Sequence, residues 1–445
     1  MKLKLPHTYV LLFALVVAAA LATHVIPAGE YERVDRGGRT VVDPASYQEA
    51  RSDPASVADV FLAFPRGLSA TADIVFFIFI IGGAFGVVNA TGAIEGAIEW
   101  IIAKGGRGER VIPVLMLVFA LAGGSLGMAE ETLVFLPALL VLSRRLGYDA
   151  ITAGAVGLVG AGAGFAGAFM NPFTVGVAQG IAELPLFSGI GYRLVVWVVV
   201  TSLAIFHVMR YSARVRSAPQ VSEPSSMRGL KRRHILVLLL LAATVGAFVV
   251  GALQWGWGLL ELSGVFVAVT FLAGWLGGLG ADEIAENFIE GAAGITTGAL
   301  VVGLARGVLV IFDGALVTDT ILHALAGAVE NLPRSASVVG IYLVQVLLNF
   351  IVPSGSGQAA LSIPILAPLG DLVGVTRQTT VLAYQFGDGF TNVLTPTQGY
   401  FMAGLAMIGV KWTDWVRFIW PLQCLWLIAG LVLLLTAHAM QYGPF

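Results

Sequence analysis

The sequence predicts an all-α polytopic membrane protein of two inverted-topology repeats, with about nine transmembrane helices and two opposed re-entrant hairpins. Three observations carry that prediction. The 445 residues are 57% hydrophobic and only 12% charged, against about 25% charged in an ordinary soluble domain. Five apolar runs, 9–27, 74–94, 235–253, 258–279 and 415–437, each approach the ~20 residues that cross ~30 Å of hydrocarbon. Weakly similar stretches also recur in order at a near-constant spacing.

Residues 131–137 (ETLVFLP) match 358–364 (QAALSIP), and Gly147 matches Gly374, at an offset of 227. Pro172 with Pro396, Gly180-Ile-Ala182 with Gly404-Leu-Ala406, and Arg193 with Arg417 match at 224. So does Phe64-Pro-Arg-Gly67 with Phe288-Ile-Glu-Gly291. Residues 1–210 are therefore read as a first repeat and 234–445 as a second, joined by a polar cytoplasmic linker, 211–233.

Taken in order, helix 9–27 leaves the cytoplasm; it is too long for a signal peptide and reappears in the second half. A polar loop, 28–72, ends in an interfacial helix over 55–68, and helix 74–94 returns. The arms 111–126 and 132–143 come next. The second is only ~18 Å long, too short to span, so 111–143 is read as a hairpin that returns Arg144 and Arg145 to the cytoplasm. That threading leaves 16 of the 25 Lys and Arg inside, as the positive-inside rule prefers. Helix 150–183 is broken at Met170-Asn-Pro-Phe-Thr174, and 190–209 returns. Helix 258–279 has no spanning counterpart in the first half, and that odd crossing inverts the rest of the second half. Helix 294–312 runs outward, hairpin 335–370 enters from outside, and 379–408 is broken at Thr395-Pro396. The N-terminus is then cytoplasmic and the C-terminus outside. Inverted repeats with broken helices mark secondary transporters.

Several function classes find no support. A formal charge of −2 without a basic stripe gives no reason to expect nucleic acid. Cys424 is alone, and no histidines pair at metal-ligand spacing. Gly162-Ala-Gly-Phe-Ala-Gly167 lacks the strand–turn–helix context of a nucleotide site. Neither the charge rings of a channel nor a nucleophile–base pair is visible, and no cofactor is expected.

Four polar breaks carry the candidate chemistry. The first hairpin tip supplies Ser125, Glu130, Glu131 and Thr132; the second supplies Ser354, Ser356 and Gln358. The broken helices supply Asn171 and Thr174, and Asn392, Thr395 and Thr397. Such tips and breaks expose unpaired backbone groups, tolerable at membrane depth only beside a cavity. Their half-helix N-termini suit an anion, and their oxygens suit Na⁺. Glu130 and Glu131 are either an ordinary charged helix end or a buried pair that needs a cation or protons. Neighbours on an ideal helix diverge by ~100°, so one of the two is expected to face the site. Asp388, about two turns before the second break, either faces the site with Asn392 or meets an opposing helix end. Glu130, Glu131 and Asp388 are the coupling-ion candidates, for Na⁺ or H⁺. Arg306 is the lone intramembrane cation, placed either to clamp a substrate carboxylate or to neutralise Asp388 or a glutamate.

At these motifs the chain resembles the DcuC/YfcC group of four-carbon-dicarboxylate anaerobic carriers. The similarity lies in GMAEETLVFLP, GAGAGFAGAFMNPF, AQGIAELPLFSGI, GLARGVLVIFDG, SGSGQAALSIPILAPLGDLVGVTRQ and QFGDGFTNVLTPTQG, and it runs nearly end to end. The resemblance implies a member of the ion-transporter superfamily: a homodimer in a bacterial or archaeal cytoplasmic membrane, with scaffold and transport domains working as an elevator. It implies that the tips at 125–132 and 354–358 and the breaks at 171–174 and 395–398 form the substrate and ion site. The Ser-Asn-Thr tip signature of the sodium/dicarboxylate branch is absent here, so a dicarboxylate, an amino acid and a basic amino acid all stay open as substrate. Symport and antiport stay equally open.

Overall fold

In the computed structural model, residues 8–35, 40–94, 96, 108–217, 231–255, 257–330 and 332–443 are described. Helix α1, Thr8–Ala22, leads into a loop that carries four short strands, Gly29–Glu30, Arg33–Asp35, Thr40–Val42 and Gln48–Glu49. They pair as two antiparallel ribbons, the first with the fourth and the second with the third. The chain is mostly helical, but these ribbons depart from the all-α expectation. Helix α1 also stops earlier than the apolar run 9–27 suggests.

Next come α2, Val57–Ala70, and α3, Ala72–Ala90. Ser56 caps α2 with a capping box: its side chain accepts from the Asp59 N–H while Asp59 accepts from the Ser56 N–H. In the second half, α11 (Ala281–Gly294) and α12 (Thr296–Gly314) repeat this pair 224 residues later, residue for residue in length. The two pairs interlock: α11 packs on α3, and α2 packs on α12. Glycine permits the approach. A Cβ on Gly67 would lie 2.1 Å from the Gly303 carbonyl oxygen, and one on Gly291 would lie 2.3 Å from that of Gly82. Each receiving helix presents a small-residue pair one turn apart, Gly82 with Gly86 and Gly303 with Gly307. Helices α9 (Arg232–Trp255) and α10 (Leu259–Gly277) complete this first group, with α10 lying against α3.

The second group opens with α4, Gly108–Leu126, and α5, Leu136–Arg145, separated by a tip. Helix α6, Ala150–Ala166, is next, with a π-turn over Ala155–Val159; then come α7, Val175–Ile181, and the long α8, Ile190–Val215. The later half adds α13 (Thr318–Glu330), α14 (Arg334–Ile351), α15 (Gly355–Val373), α16 (Arg377–Thr391), α17 (Gly399–Met407) and α18 (Trp412–Ala439). Helix α4 packs on α6, α14 on α16, and α16 on α6 and α18. The matched glycines Gly147 and Gly374 both follow second arms with positive φ, 86° and 78°, where a side chain would be strained. Among the described residues, five helices are long and apolar enough to cross a membrane: α3, α8, α10, α12 and α18.

The loop between α1 and α2 bridges the groups. Arg33 makes a two-pronged ion pair with Asp319 on α13, with both N–O distances 2.9 Å. The Tyr31 hydroxyl lies 3.0 Å from His323 Nδ1, and Tyr47 stacks on the His323 ring at 3.8 Å.

Candidate functional site

The broken helices survive because other elements satisfy their freed backbone groups. At the second break the Trp415 indole donates to the Val393 carbonyl and the Trp412 indole to that of Leu394, each at 2.8 Å. The Phe165 carbonyl, at the end of α6, accepts from Gln385 Nε2 at 2.6 Å. Each break is also tied to a tip. The Phe169 and Met170 N–H groups donate to the Gly124 carbonyl, at the end of α4. In the other half, Thr397 Oγ1 donates to the Phe350 carbonyl at the end of α14, at 2.8 Å.

The first tip is not a simple helix start. Gly127 turns the chain with φ 74°, and Glu130–Phe135 forms a 3-10 turn before α5 begins. The Glu131 carboxylate folds back to accept the Ala129 N–H at 3.0 Å, and Thr132 Oγ1 donates to the Ala129 carbonyl at 2.5 Å. The second tip is more conventional: Ser354 caps α15 by accepting from the Gly357 N–H at 3.3 Å. Gly355 is pressed between elements, since a Cβ there would lie 2.6 Å from Thr174 Cγ2 and 3.2 Å from Asp388 Oδ2.

Tips and breaks open on one cavity of about 790 Å³. Of the residues expected from sequence, Glu130, Glu131, Thr174, Ser354, Ser356, Asn392, Thr397 and Arg306 line it. Both glutamates do so, where the ideal-helix reading expected one; a 3-10 turn separates neighbours by about 120°, so they do not share a face, and the Glu131 carboxylate instead folds back across the tip to the Ala129 N–H. Six others do not line it. Ser125 donates to its own helix at Leu121, and Thr132 to Ala129. Asn171 Oδ1 accepts from the Phe173 N–H at 2.9 Å, and Thr395 donates to the Thr391 carbonyl. Gln358 turns to α14, where its Nε2 donates to both oxygens of Gln345. Although it aligns with Glu131 in sequence, the two do different work. Asp388 is fully buried; its Oδ1 accepts from Asn392 Nδ2 at 3.3 Å.

The cavity adds residues that the sequence reading did not single out. Asp73, in the first turn of α3, and Tyr400, in that of α17, line it, as does Gln398 at the end of the expected break 395–398. Behind it lies an amide network: Asn349 Nδ2 donates to the Asp388 carbonyl, Thr391 Oγ1 and Asn392 Oδ1, at 2.7–3.0 Å. Several buried acceptors there have no hydrogen-bond partner: Asn349 Oδ1, Gln358 Oε1, Gln385 Oε1 and Asp388 Oδ2. The polar pair Gln345 and Asn349, four residues apart in an apolar helix, was the sequence signal for this network. Arg306 forms no ion pair among the described residues, so the expected neutralisation by Asp388 or a glutamate is not made through direct contact.

Comparison with known proteins identifies the chain's relatives. The family model described as C4-dicarboxylate anaerobic carrier, DcuC, matches residues 5–439. An Escherichia coli K12 protein named "Putative basic amino acid antiporter YfcC" is 36% identical, covering 98% of this chain and 97% of its own. An uncharacterized Haemophilus influenzae protein is 28% identical over 96% of each chain. Two solved transporters, YdaH of Alcanivorax borkumensis and MtrF of Neisseria gonorrhoeae, align over 99% and 97% of this chain, each at 16% identity and a TM-score of 0.44. With a family model spanning nearly its whole length and a relative above one-third identity, this chain is a multi-pass membrane protein, not an enzyme, and it belongs to the C4-dicarboxylate anaerobic carrier (DcuC) family of transporters.

Proposed function

We propose that this chain is a cation-coupled secondary transporter of amino acids, with basic ones preferred. One observation carries the reading: among the described residues, the cavity gathers the carboxylates of Asp73, Glu130 and Glu131 against one guanidinium, that of Arg306. A doubly negative solute would enter that surplus of negative charge only with several accompanying cations. An amino acid brings its own ammonium for Glu130 and Glu131. Its carboxylate suits the N-terminal turns of α15 and α17, where Ser354, Ser356, Thr397 and Gln398 line the wall. The printed name of the Escherichia coli relative is in keeping with this choice. The unpaired buried oxygens around Asp388 supply a setting for the coupling Na⁺ or proton.

The transport motion is read as an elevator within a homodimer in a bacterial or archaeal cytoplasmic membrane. The recurrence of α2–α3 as α11–α12, crossed against one another, supports an inverted-repeat scaffold. The seam between α12 and α17 supports sliding, because Gly298 meets the Ala403 backbone and Gly399 meets Val302 there.

Purified protein in proteoliposomes tests the proposal. Labelled lysine or arginine accumulates above equilibration under an imposed Na⁺ or pH gradient, or exchanges against internal substrate, and succinate does not. Uptake of succinate without amino acids would replace the substrate assignment with a dicarboxylate. Uptake that only equilibrates would make the chain a passive pathway.

A further inference from the structure

Two carboxyl groups meet the first turn of α15, one from the substrate and one from the chain itself. On the cavity side, Ser354, Gly355 and Ser356 line the wall. The Gly357 N–H donates to Ser354 Oγ and the Gln358 N–H to the Ser354 carbonyl, but the N–H groups of Gly355 and Ser356 have no partner among the described residues. A helix of 19 residues concentrates about half a positive charge at such an end. Its two free N–H groups are the donors for a substrate carboxylate.

Asp388 reaches the same helix end without lining the cavity. It is fully buried on α16, and its Oδ2 has no hydrogen-bond partner. That oxygen lies 3.2 Å from where a Cβ would stand on Gly355, the first residue of α15. Tyr384, one turn earlier on α16, fastens the approach by donating its hydroxyl to the Gly355 carbonyl at 2.6 Å. The other oxygen, Oδ1, accepts from Asn392, which does line the cavity, so Asp388 stands one side chain away from the solute. Among the described residues no cation pairs with Asp388 or acts on it. The titratable groups within its electrostatic reach are Tyr384 on its own helix, Tyr400 on α17 and Glu130 on the first tip. From α14 it meets the neutral Asn349, which donates to its carbonyl. A buried carboxylate without a cation is costly, and the end of α15 is the positive group at hand. A substrate carboxylate on Gly355 and Ser356 would then make two anions on one helix end, whose half charge cannot balance both.

We infer that Asp388 ties substrate binding to cation uptake through the first turn of α15. While Asp388 is bare it holds the positive end of that helix, and a proton or Na⁺ on Asp388 releases that end to the substrate's carboxylate. The inference rests on the reading above, in which an amino acid carboxylate sits at α15. One cation then enters with each substrate, as accumulation under an imposed gradient requires. By reciprocity, bound substrate strengthens the hold of Asp388 on its cation by the same factor. Asp388 is a positioning residue: it acts on the helix end and not on the substrate.

Equilibrium binding of labelled lysine to the purified full chain tests this. One arm lowers the pH at fixed Na⁺; the other raises Na⁺ at a fixed, mildly alkaline pH. Couplings between two sites typically change affinity roughly 5- to 150-fold, so the wild-type Kd should fall by that factor along one arm, and the arm names the cation. In Asp388→Asn the fall should shrink to less than about 2-fold of the same sign. Where cation is scarce, Asp388→Asn should also bind lysine more tightly than wild type, a gain that structural damage does not produce. Acid discharges Glu130 and Glu131 and so weakens their hold on an ammonium, the opposite sign, and that slope should remain in Asp388→Asn. Asp388→Ser is a second neutral variant, needed if Asp388→Asn does not elute as a monodisperse species. A neutral variant that keeps the wild-type fall overturns the inference and leaves the amino acid reading intact. So does wild type whose Kd stays constant or rises along both arms, a result that needs no variant. Wild type that binds neither lysine nor arginine overturns the amino acid reading, and the inference falls with it.

Discussion

The crossing of α2 on α12 and α11 on α3 can be tested one methyl group at a time. An alanine Cβ at Gly67 would stand 2.1 Å from the Gly303 carbonyl oxygen, and one at Gly291 would stand 2.3 Å from that of Gly82. Ordinary contact begins near 3.4 Å, so the helices would have to part by about 1 Å at each crossing. The obstacle is backbone in both cases, so no side chain can rotate away to relieve it. Overpacking of this kind costs roughly 1–3 kcal/mol, and parting the helices loses dispersion contacts along both faces. The gain in helix propensity from Gly to Ala, ~1 kcal/mol, offsets only part of that. Gly67→Ala and Gly291→Ala should therefore each destabilise by roughly 1–2 kcal/mol net, and by similar amounts because each Cβ would meet a backbone carbonyl oxygen at nearly the same distance. Gly264→Ala in α10 is the control: nothing lies within 4 Å of its Cβ position, so it should be neutral or stabilising by up to ~1 kcal/mol. Thermal unfolding of the detergent-solubilised protein measures all three. Interface variants as stable as Gly264→Ala would refute this account, because the helices could then not meet at these glycines.

Glu130 and Glu131 should separate experimentally. Glu131→Ala removes the acceptor for the Ala129 N–H and should lower stability by about 1–2 kcal/mol; Glu131→Gln keeps an acceptor and should recover most of the loss in the same thermal assay. Glu130→Gln should leave stability nearly unchanged and weaken lysine binding by roughly 10-fold or more, read as a KM or Kd. The loop between α1 and α2 gives a pH signature. Burial first, then the Asp319 carboxylate and Tyr47, pushes the Tyr31 phenol up to about 12. A raised folded value means its contribution is fully present below the unfolded value of 10 and is lost as pH rises from 10 towards 12. Denaturation midpoints followed across that window should fall less steeply in Tyr31→Phe than in wild type.

The sequence carried the positions of the tips and breaks because glycine, proline and adjacent acids interrupt otherwise apolar runs, and such interruptions are local signals. The spacing of 224 was legible for the same reason: it recurs in the bounds of α2–α3 and α11–α12. The features that stayed hidden were set by tertiary contact. The 3-10 turn at Glu130–Phe135 and the π-turn at Ala155–Val159 have no residue pattern that separates them from α-helix. Asp73 looks like any acid in a first helical turn, and only the fold brings it to the cavity. Gln358 aligns with Glu131 yet faces Gln345, because α15 starts as a capped α-helix directly at Ser354 whereas α5 is preceded by the 3-10 turn. Register within a tip decides which wall a side chain meets, and the aligned residues do not encode it.

That difference between the tips explains why a pseudo-symmetric frame holds an asymmetric site. The first tip spends its polar residues on charge: two glutamates, one of them capping its own turn. The second spends them on a serine cap, leaving the positive end of α15 facing the cavity, and it buries its glutamine in the amide network of Gln345 and Ser362. One tip therefore presents negative charge and the other presents helix N–H groups, across a single cavity. Two equivalent tips would favour a symmetric solute such as a dicarboxylate held alike at both ends. Opposite tips favour a solute whose ends are themselves opposite, an ammonium against Glu130 and a carboxylate against the first turn of α15. The divergence between the glutamate pair and the Ser354-Gly-Ser-Gly-Gln358 tip is thus a physical reason to choose an amino acid over a dicarboxylate. Exchanging the tips' chemistry, Glu130→Ser with Ser356→Glu, should weaken lysine transport more than the sum of the single changes if orientation between the tips is what selects the substrate.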